Sequence, residues 1–286
     1  MESRLSQRNS LKANLGSSGF HTKKSLGQNF LVDEGVAQGI VAGAGAGPSD
    51  TVLEIGPGVG SLTRYLLPRA GRVIAIELDR EAIPLLERNT RGLGNLQVIQ
   101  GDILKTDLHE ILQGQEGVKV IANLPYYITS PILMKLLAEG LSLASITVMV
   151  QKEVGERLAA VPGTKDYGIL TLAVGYYARV EKVLDVGKEC FHPVPKVDSV
   201  VMRLIPRPRE ERLSPELEDA YFRLVKGGFA QRRKNLMNSL AAFYGADRER
   251  VKAFLTQGGI TETRRGETLS KEEYMALANL EKELKQ

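Results

Sequence analysis

Several apolar runs of the chain end in residues that can contact a small polar ligand. These residues are Gly56, Gly58 and Gly60 after "VLEI", Glu77 in "VIAIE", Asp102 after "LQVIQG", and Asn123 in "VKVIAN". A single acid after a strand is more often the N-cap of a helix than a ligand contact. Since parallel strands end at one edge of a sheet, four such ends together predict a ligand pocket at that edge.

The residue types at these positions fit an adenosine group. Glycines let the backbone turn tightly and approach a ligand closely. Glu77 stands where an acid reaches ribose hydroxyls in Rossmann-like folds, and the Asp102 carboxylate can accept from the exocyclic amine of adenine. The glycine spacing is G-x-G-x-G rather than G-x-G-x-x-G, and alone it is a weak signal. The pocket therefore suits either NAD or S-adenosylmethionine.

The stretch "NLPYY" after the fourth strand favours S-adenosylmethionine. The N6 lone pair of adenine is delocalised into the ring, so this nitrogen is a poor nucleophile. The Asn123 side-chain oxygen and the Leu124 carbonyl could accept from its two N–H groups and make the lone pair available, while Pro125 stiffens the loop. Tyr126 would stack on the base, an interaction of roughly 1–3 kcal/mol. Tyr127 is expected to pack in the core. In-line positioning and these hydrogen bonds suffice for methyl transfer, without a general base.

Strands and helices alternate around these residues. Apolar runs predict strands at 51–55, 72–77, 96–100, 118–123 and 145–151, and helical periodicity predicts helices at 61–70, 80–90 and 130–140. Ser130 is the expected N-cap of the last helix. This order predicts a mostly parallel, Rossmann-like α/β sheet, to which two late strands at 178–186 and 198–207 would add an antiparallel edge.

The pattern changes after the Pro- and Arg-rich segment "IPRPREERLSP". Beyond it the apolar spacing is helical throughout, which predicts a small all-helical second domain. The expected division is a flexible basic segment over residues 1–24, a nucleoside-binding catalytic domain over 25–206, and a helical domain over 207–286. The three parts carry net charges of +4, −3 and +3, so both flanks are basic. Such asymmetry is compatible with binding of a polyanion by the flanks, although ordinary solubility charge also explains it.

The composition excludes several classes of protein. No apolar run approaches the roughly 20 residues of a membrane span, and the first residues lack the apolar core of a secretory signal. One cysteine, Cys190, cannot form an internal disulfide and fits a reducing cytoplasm. The three histidines are scattered without a metal-ligand spacing, so no metal is expected.

The motifs resemble those of the small-subunit (16S) rRNA adenine N6,N6-dimethyltransferases, the KsgA/RsmA family. The matching segments occur in order from residue 23 to about 240: "KKSLGQNFLVD", "VLEIGPGVGSLT", "VIAIELDR", "QGDIL", "IANLPYYITSPIL", "MVQKEVGERL", "YGILTLAVGYYA", "FHPVPKVDSVVMRL" and "FAQRRKNLMNSL". The resemblance implies a class I methyltransferase sheet and dimethylation of two adjacent adenosines in the 3′-terminal hairpin of 16S rRNA. S-adenosylmethionine would be the donor and S-adenosylhomocysteine the product.

The resemblance also assigns roles to single residues and partners. Asn29 and Leu31 would help close over the cofactor, alongside the strand-end residues already named. Phe191 would be the second aromatic wall around a flipped adenine. The family implies a monomer that acts on the immature 30S subunit in the cytoplasm, without a membrane.

Arg232, Arg233 and Lys234 in "QRRK" have two interpretations. They could contact rRNA phosphates, or they could only cap and solvate a helix. The resemblance favours RNA contact and implies that the helical domain over 207–286 is an RNA-recognition domain.

Three alternatives remain. An erythromycin-resistance methyltransferase, which modifies large-subunit rRNA, typically has Asn-Ile-Pro-Tyr and Lys-Val-Asn where this chain has "NLPY" and "KVD". An NAD-dependent oxidoreductase would have no evident use for "NLPY". A non-catalytic ribosome-assembly factor would not need intact strand-end acids.

Overall fold

The computed structural model describes Lys23, residues 27–231 and residues 233–284. The expected flexible segment 1–24 lies outside these residues except for Lys23, and so does Arg232. The described residues form two compact units. The first contains the residues up to Gly155 together with Val180–Pro206, and the second contains Glu156–Arg179 together with the chain from Arg207 onwards.

Nine strands occur in the described part of the chain. They are β1 (Phe30–Leu31), β2 (Thr51–Ile55), β3 (Arg72–Glu77), β4 (Leu96–Gln100), β5 (Val118–Asn123), β6 (Leu143–Gln151), β7 (Ala178–Val186), β8 (Phe191–His192) and β9 (Ser199–Pro206). Seven of them form one sheet in the order β4-β3-β2-β5-β6-β9-β7. The pairs within β4-β3-β2-β5-β6 are parallel and β9 runs antiparallel to β6. The predicted α/β sheet with a late antiparallel strand is confirmed.

Eleven α-helices connect and follow these strands within the same described ranges. They are α1 (Glu34–Ala44), α2 (Thr63–Leu66), α3 (Ile83–Thr90), α4 (Leu108–Ile111), α5 (Thr129–Ala138), α6 (Lys152–Leu158), α7 (Ile169–Tyr177), α8 (Pro215–Phe229), α9 (Leu236–Tyr244), α10 (Arg248–Gln257) and α11 (Lys271–Ala278).

Two helices differ from their predictions. The helix predicted over 61–70 is only the four residues of α2. Ser130 is not an N-cap, because a 3₁₀ turn over Tyr126–Ile128 runs directly into α5 and Ser130 is its second residue. The Thr129 hydroxyl at the start of α5 donates instead to the Pro125 carbonyl at 3.2 Å.

The core of the first unit lies between the sheet and α1. Strands β2, β3 and β5 are central and parallel, so both of their faces are covered and they read as near-continuous apolar runs. Ile40 and Val41 of α1 are buried in the same apolar cluster as Val52, Val73 and Ile121 of these strands. This packing holds the strands side by side, and because they are parallel their carboxyl ends meet at one edge of the sheet.

The second unit is helical but starts earlier than the sequence indicated. Residues 156–179, which the sequence placed in the first domain, group with the C-terminal helices. The physical reason is aromatic packing: the Tyr176 ring of α7 stacks on Tyr221 of α8 at 4.8 Å, and the Tyr221 hydroxyl donates to the Leu172 carbonyl at 3.0 Å. Because this packing joins segments distant in sequence, periodicity along the chain does not reveal it.

Candidate active site

A cleft in the first unit collects the carboxyl ends of β2, β3, β4 and β5. Ten of the predicted cofactor and catalytic residues line it: Asn29, Leu31, Gly56, Gly58, Glu77, Asp102, Asn123, Leu124, Pro125 and Tyr126. The remaining lining comes mainly from the neighbours of these residues and from Gly27, Gln28 and Phe30 of the segment before α1. The structure therefore gathers the predicted residues at one edge of the sheet.

The glycine loop after β2 presents bare backbone to this cleft. Gly56 and Gly58 have φ values of 67° and 57°, a left-handed conformation that glycine adopts without strain. A Cβ on Gly56 would meet nothing within 4 Å, so there is open space beside this backbone. A Cβ on Gly58 would instead lie 2.6 Å from the Phe30 ring. Gly58 is thus needed both for the turn and for the packing of Phe30.

Glu77 at the end of β3 is buried and already holds the glycine loop. Its Oε2 accepts from the Gly58 N–H at 2.8 Å, and its Oε1 accepts from the Asp79 N–H at 2.8 Å. Burial raises the pKa of Glu77, while these two N–H groups oppose the rise. A carboxylate offers about four acceptor sites. Sites therefore remain for ribose hydroxyls after the two backbone bonds are made.

Glu54 is a second buried acid at the cleft, in the middle of the run "VLEIG". Its side chain is fully buried, and its Oε2 has no hydrogen-bond partner among the residues that the structure describes. Burial raises the pKa of Glu54 to about 8, and the nearby charge of Glu77 adds to this effect. Hydrogen bonds with Thr63 oppose this rise, and a cationic ligand in the cleft would also favour the ionised carboxylate.

Asp102, two residues beyond β4, has a local partner as well as a place in the cleft. Its Oδ1 accepts from the Leu104 N–H at 3.0 Å. This bond closes a turn and does not cap a helix, since Asp107 is the N-cap of the following helix α4. Its other oxygen lies 3.9 Å from Lys105 Nζ, whose side chain is 86% exposed. Such a loose surface pair does not prevent a ligand amine from approaching the carboxylate.

Asn123 at the end of β5 has an oriented side chain. Its Nδ2 donates to the Asn29 carbonyl at 3.2 Å. If the amide were flipped, its oxygen would face that carbonyl, and two acceptors cannot form a hydrogen bond. The Nδ2 is therefore fixed on Asn29, and Oδ1 is the amide atom left as an acceptor. The neighbouring Leu124 is buried and its N–H donates to the Met149 carbonyl at 3.2 Å, which anchors the start of the loop.

The two tyrosines of "NLPYY" differ in their surroundings. Tyr126 is half-buried, and its hydroxyl lies 3.2 Å from the Ser199 hydroxyl. Burial raises the pKa of Tyr126, so the phenol stays protonated. The expected core packing of Tyr127 is wrong, because its side chain is 59% exposed. Its ring lies at the cleft against Gly27, whose added Cβ would meet it at 3.4 Å.

The structure does not bring Phe191 to the cleft. Its side chain is 1% exposed and packs in the main apolar cluster. Strand β8 pairs antiparallel with β1 so that Phe191 lies opposite Leu31, and both side chains are buried. A contact between Phe191 and a flipped base would require the ring to leave this cluster. Its role as an aromatic wall stays a prediction that this arrangement does not support.

The basic segment of the second unit lies in the loop between α8 and α9. Arg233 and Lys234 are exposed, and Arg232 falls outside the described residues. The loop itself is ordered by backbone bonds, since the Lys234 N–H donates to the Gln231 carbonyl at 3.0 Å. Asn235, not a basic residue, caps α9 by accepting from the Asn238 N–H. The interpretation in which the basic residues cap a helix therefore does not apply to the start of α9, whose cap is Asn235.

Three residues with a place in or beside the cleft were given no role by sequence reasoning. Gln28 lies inside the segment "KKSLGQNFLVD", but an isolated glutamine has no chemical signature. Asp79 is buried two residues after β3 and resembles an ordinary turn acid in the sequence. Glu54 had a visible signal, since an acid inside a buried strand is unusual.

The sheet, the glycine loop, the strand-end acids and the amide-proline-tyrosine loop together define a Rossmann-like class I methyltransferase. The family described as "Ribosomal RNA adenine dimethylase" matches residues 19–283. The chain belongs to this family. A curated relative, "Ribosomal RNA small subunit methyltransferase A" of Bacillus cereus (strain B4264), is 48% identical over 268 residues, which cover 91% of each chain.

Two solved structures show the same architecture. The dimethyladenosine transferase from Plasmodium falciparum is 30% identical with a TM-score of 0.71, and the match covers 85% of this chain and 94% of that one. The 23S rRNA methyltransferase ErmE is 30% identical with a TM-score of 0.68, and the match covers 90% of this chain and 100% of that one. The fold is thus shared with an enzyme that acts on 23S rRNA, so the fold alone does not decide which rRNA is the substrate.

Membership of the family makes the chain an S-adenosylmethionine-dependent rRNA adenine methyltransferase. Within the described ranges, no helix is long and apolar enough to cross a membrane. The same residues contain no group of three or more His, Cys, Asp or Glu side chains that could hold a metal ion.

Proposed function

We propose that this chain transfers methyl groups from S-adenosylmethionine to N6 of two adjacent adenosines in the 3′-terminal hairpin of 16S rRNA. The observation that carries the proposal is the fixed amide of Asn123 beside a proline-stiffened tyrosine, at the mouth of an acid-lined cleft. The curated relatives are named as small-subunit enzymes, and "NLPY" and "KVD" agree with that subunit. We further propose that the enzyme acts as a monomer on the immature 30S subunit in the cytoplasm.

The residues of the cleft fit S-adenosylmethionine, which supplies an electrophilic methyl group on a cationic sulfur. The open backbone at Gly56 would admit the ligand, and Glu77 would accept from the ribose hydroxyls. Asp102 would accept from the adenine amine. Glu54, whose buried Oε2 has no partner among the described residues, would face the cationic part of the ligand. Asn29 and Leu31 would cover the ligand from the segment before α1.

The "NLPY" loop would hold the target base. Tyr126 would stack on the flipped adenine, and burial of its hydroxyl beside Ser199 keeps the ring in place. The Asn123 Oδ1 and the Leu124 carbonyl would accept from the two N6–H groups. These acceptors are fixed before the reaction, so they favour the pyramidal nitrogen of the transition state at no cost of reorganisation. Arg233 and Lys234 would contact phosphates and position the RNA without reading its sequence.

The test is methylation of isolated subunits with isotope-labelled S-adenosylmethionine. Small subunits and large subunits that lack the modification are incubated separately, and the labelled adenosines are mapped. We expect label on two adjacent adenosines of 16S rRNA and none on 23S rRNA. Label on one adenosine of 23S rRNA would establish the alternative erythromycin-resistance activity. Binding of the RNA without any label would indicate a non-catalytic assembly factor and would refute the proposal.

A further inference from the structure

A set of hydrogen bonds runs from a buried acid to the amide of Asn123. The Asp79 side chain is 2% exposed, and its Oδ2 accepts from Gln28 Nε2 at 2.8 Å. The next residue, Asn29, provides the carbonyl that accepts from Asn123 Nδ2 at 3.2 Å. Gln28 therefore contacts the Asp79 carboxylate through its side chain and precedes Asn29, whose carbonyl orients the Asn123 amide.

The orientation of Gln28 is itself determined by its partners. Its Oε1 accepts from the Lys23 N–H at 2.8 Å, so its Nε2 must face Asp79. Asp79 also accepts from Lys23 Nζ at 2.8 Å and from the Glu81 N–H at 3.1 Å. Burial favours the neutral acid, but the bonds from Lys23 and Gln28 outweigh it and lower the pKa of Asp79. Asp79 is thus an ionised acceptor, and only a donor can face it.

Gln28 supplies the polar anchor on one side of Asn29. On the other side, Phe30 rests on Gly58 and pairs with His192 through β1 and β8. Before Gln28, Gly27 has a φ of 60° and its carbonyl accepts from Asn29 Nδ2 at 3.2 Å. Without the bond to Asp79, the segment before Asn29 would lose its contact with the buried carboxylate. The bond from the Lys23 N–H to Gln28, the local bond to Gly27 and the pairing of β1 with β8 would remain.

We infer that Gln28 is a positioning residue for methyl transfer, because its bond to Asp79 fixes the Asn29 carbonyl that orients the Asn123 amide. The inference rests on the proposed role of Asn123 in the reaction. Gln28 touches neither reacting atom in this account and acts through Asn29. Asp79 also links Gln28 to the acid at the end of β3, because the Asp79 N–H donates to Glu77 Oε1.

The test exchanges the donor and the acceptor. Gln28→Glu places a carboxylate against the carboxylate of Asp79. Asp79→Asn can keep Oδ1 for Lys23 and Glu81 but puts an NH₂ group against the Gln28 NH₂ group. Each single variant should lower the single-turnover methylation rate at saturating S-adenosylmethionine on the order of 10-fold, because a buried polar group loses its partner. The double variant restores a donor–acceptor pair with reversed polarity, so it should recover most of the rate.

A second readout does not depend on methylation. The side-chain ¹⁵N–¹H₂ resonances of Asn123, assigned by their loss in Asn123→Ala, should shift in both single variants and return towards their parent positions in the double variant. Glu81→Gln is the matched control. It removes the 3.1 Å ion pair with Lys23 at a side chain that is 69% exposed, and it leaves the Gln28–Asp79 bond intact. We expect parent behaviour from this control in both assays.

The outcomes separate this inference from the proposed function. Unchanged Asn123 resonances and parent rates in the single variants would overturn the role of Gln28. A double variant as slow as the worse single variant would also overturn it, since the positions would then not act through their mutual bond. If the parent protein methylates no RNA, the proposed function fails, while the resonances still decide whether Gln28 positions the amide.

Discussion

Asn123→Ala separates the chemical role of the amide from its structural role. Among the described residues, the side chain makes one hydrogen bond, at 3.2 Å, to the neutral carbonyl of Asn29. A bond of this kind stabilises a fold by about 0.5–1.5 kcal/mol. Removing one preorganised hydrogen-bonding group from a transition state costs on the order of 100–1000-fold in rate, or about 2.7–4 kcal/mol. If Oδ1 accepts from the N6 amine, the lost activation free energy should clearly exceed the lost free energy of unfolding.

The assay is single-turnover methylation at saturating S-adenosylmethionine, beside urea unfolding and filter-binding of the RNA. We expect a rate loss of about 100-fold or more, a stability loss near 1 kcal/mol and RNA affinity close to that of the parent, because phosphate contacts provide most of that affinity. Asn123→Asp is the matched control for size. It keeps acceptor oxygens but places one against the Asn29 carbonyl, so it too should be slow. A folded Asn123→Ala protein with nearly the parent rate would mean that the amide only shapes the turn.

Four further predictions follow from the same geometry. Glu77→Ala should weaken S-adenosylmethionine binding by about 10-fold or more in calorimetry, since charge-assisted bonds contribute about 1.5–3 kcal/mol each; unchanged affinity in a folded variant would contradict its assignment. Tyr126→Ala should impair both base capture and turnover, whereas Tyr126→Phe, which keeps the ring and loses only the bond to the Ser199 hydroxyl, should stay near the parent rate. Replacing Arg233 and Lys234 by Ala should flatten the salt dependence of RNA binding by about 0.7–0.9 log units of slope per lost phosphate contact. Cofactor affinity should not change. An unchanged slope would mean that these residues are only a solvated loop without phosphate contacts. The raised pKa of Glu54, about 8 against an ordinary 4.5, means that the folded protein holds a proton that the unfolded chain releases. Stability should therefore fall as pH rises from about 4.5 to 8, and thermal unfolding across that range should show a weaker fall in Glu54→Gln.

The sheet and the strand ends could be predicted because both depend on short-range patterns. An apolar run of five or six residues bounded by Gly, Glu or Asn identifies a buried strand and the residue at its end. Parallel strands then place these ends at one edge, whatever the details of packing. This is why Gly56, Glu77, Asp102 and Asn123 were predicted to share a cleft and do line it.

Burial of single aromatic side chains could not be predicted in the same way. Tyr126 and Tyr127 are adjacent in a 3₁₀ turn, where no strand or helix periodicity assigns one side chain to the core. Phe191 lies in a strand of two residues, too short to show alternation. Its direction is decided by pairing with β1 near the start of the chain, where Leu31 is its partner. Helix α7 joined the second unit for a comparable reason, because its partners lie in α8.

The orientation of the Asn123 amide shows why the type of a site residue is easier to predict than its geometry. The sequence identifies an amide at the end of a buried strand, and the chemistry of adenine explains why an amide is useful there. The direction of that amide depends on Asn29, 94 residues away, and Asn29 depends on the bond between Gln28 and Asp79, which are 51 residues apart. Neither separation follows any period of a helix or a strand. Under the proposed mechanism, the Asn123 acceptor is oriented only when the fold brings three distant segments together. Methyl transfer should then be sensitive to a glutamine that touches none of the reacting atoms.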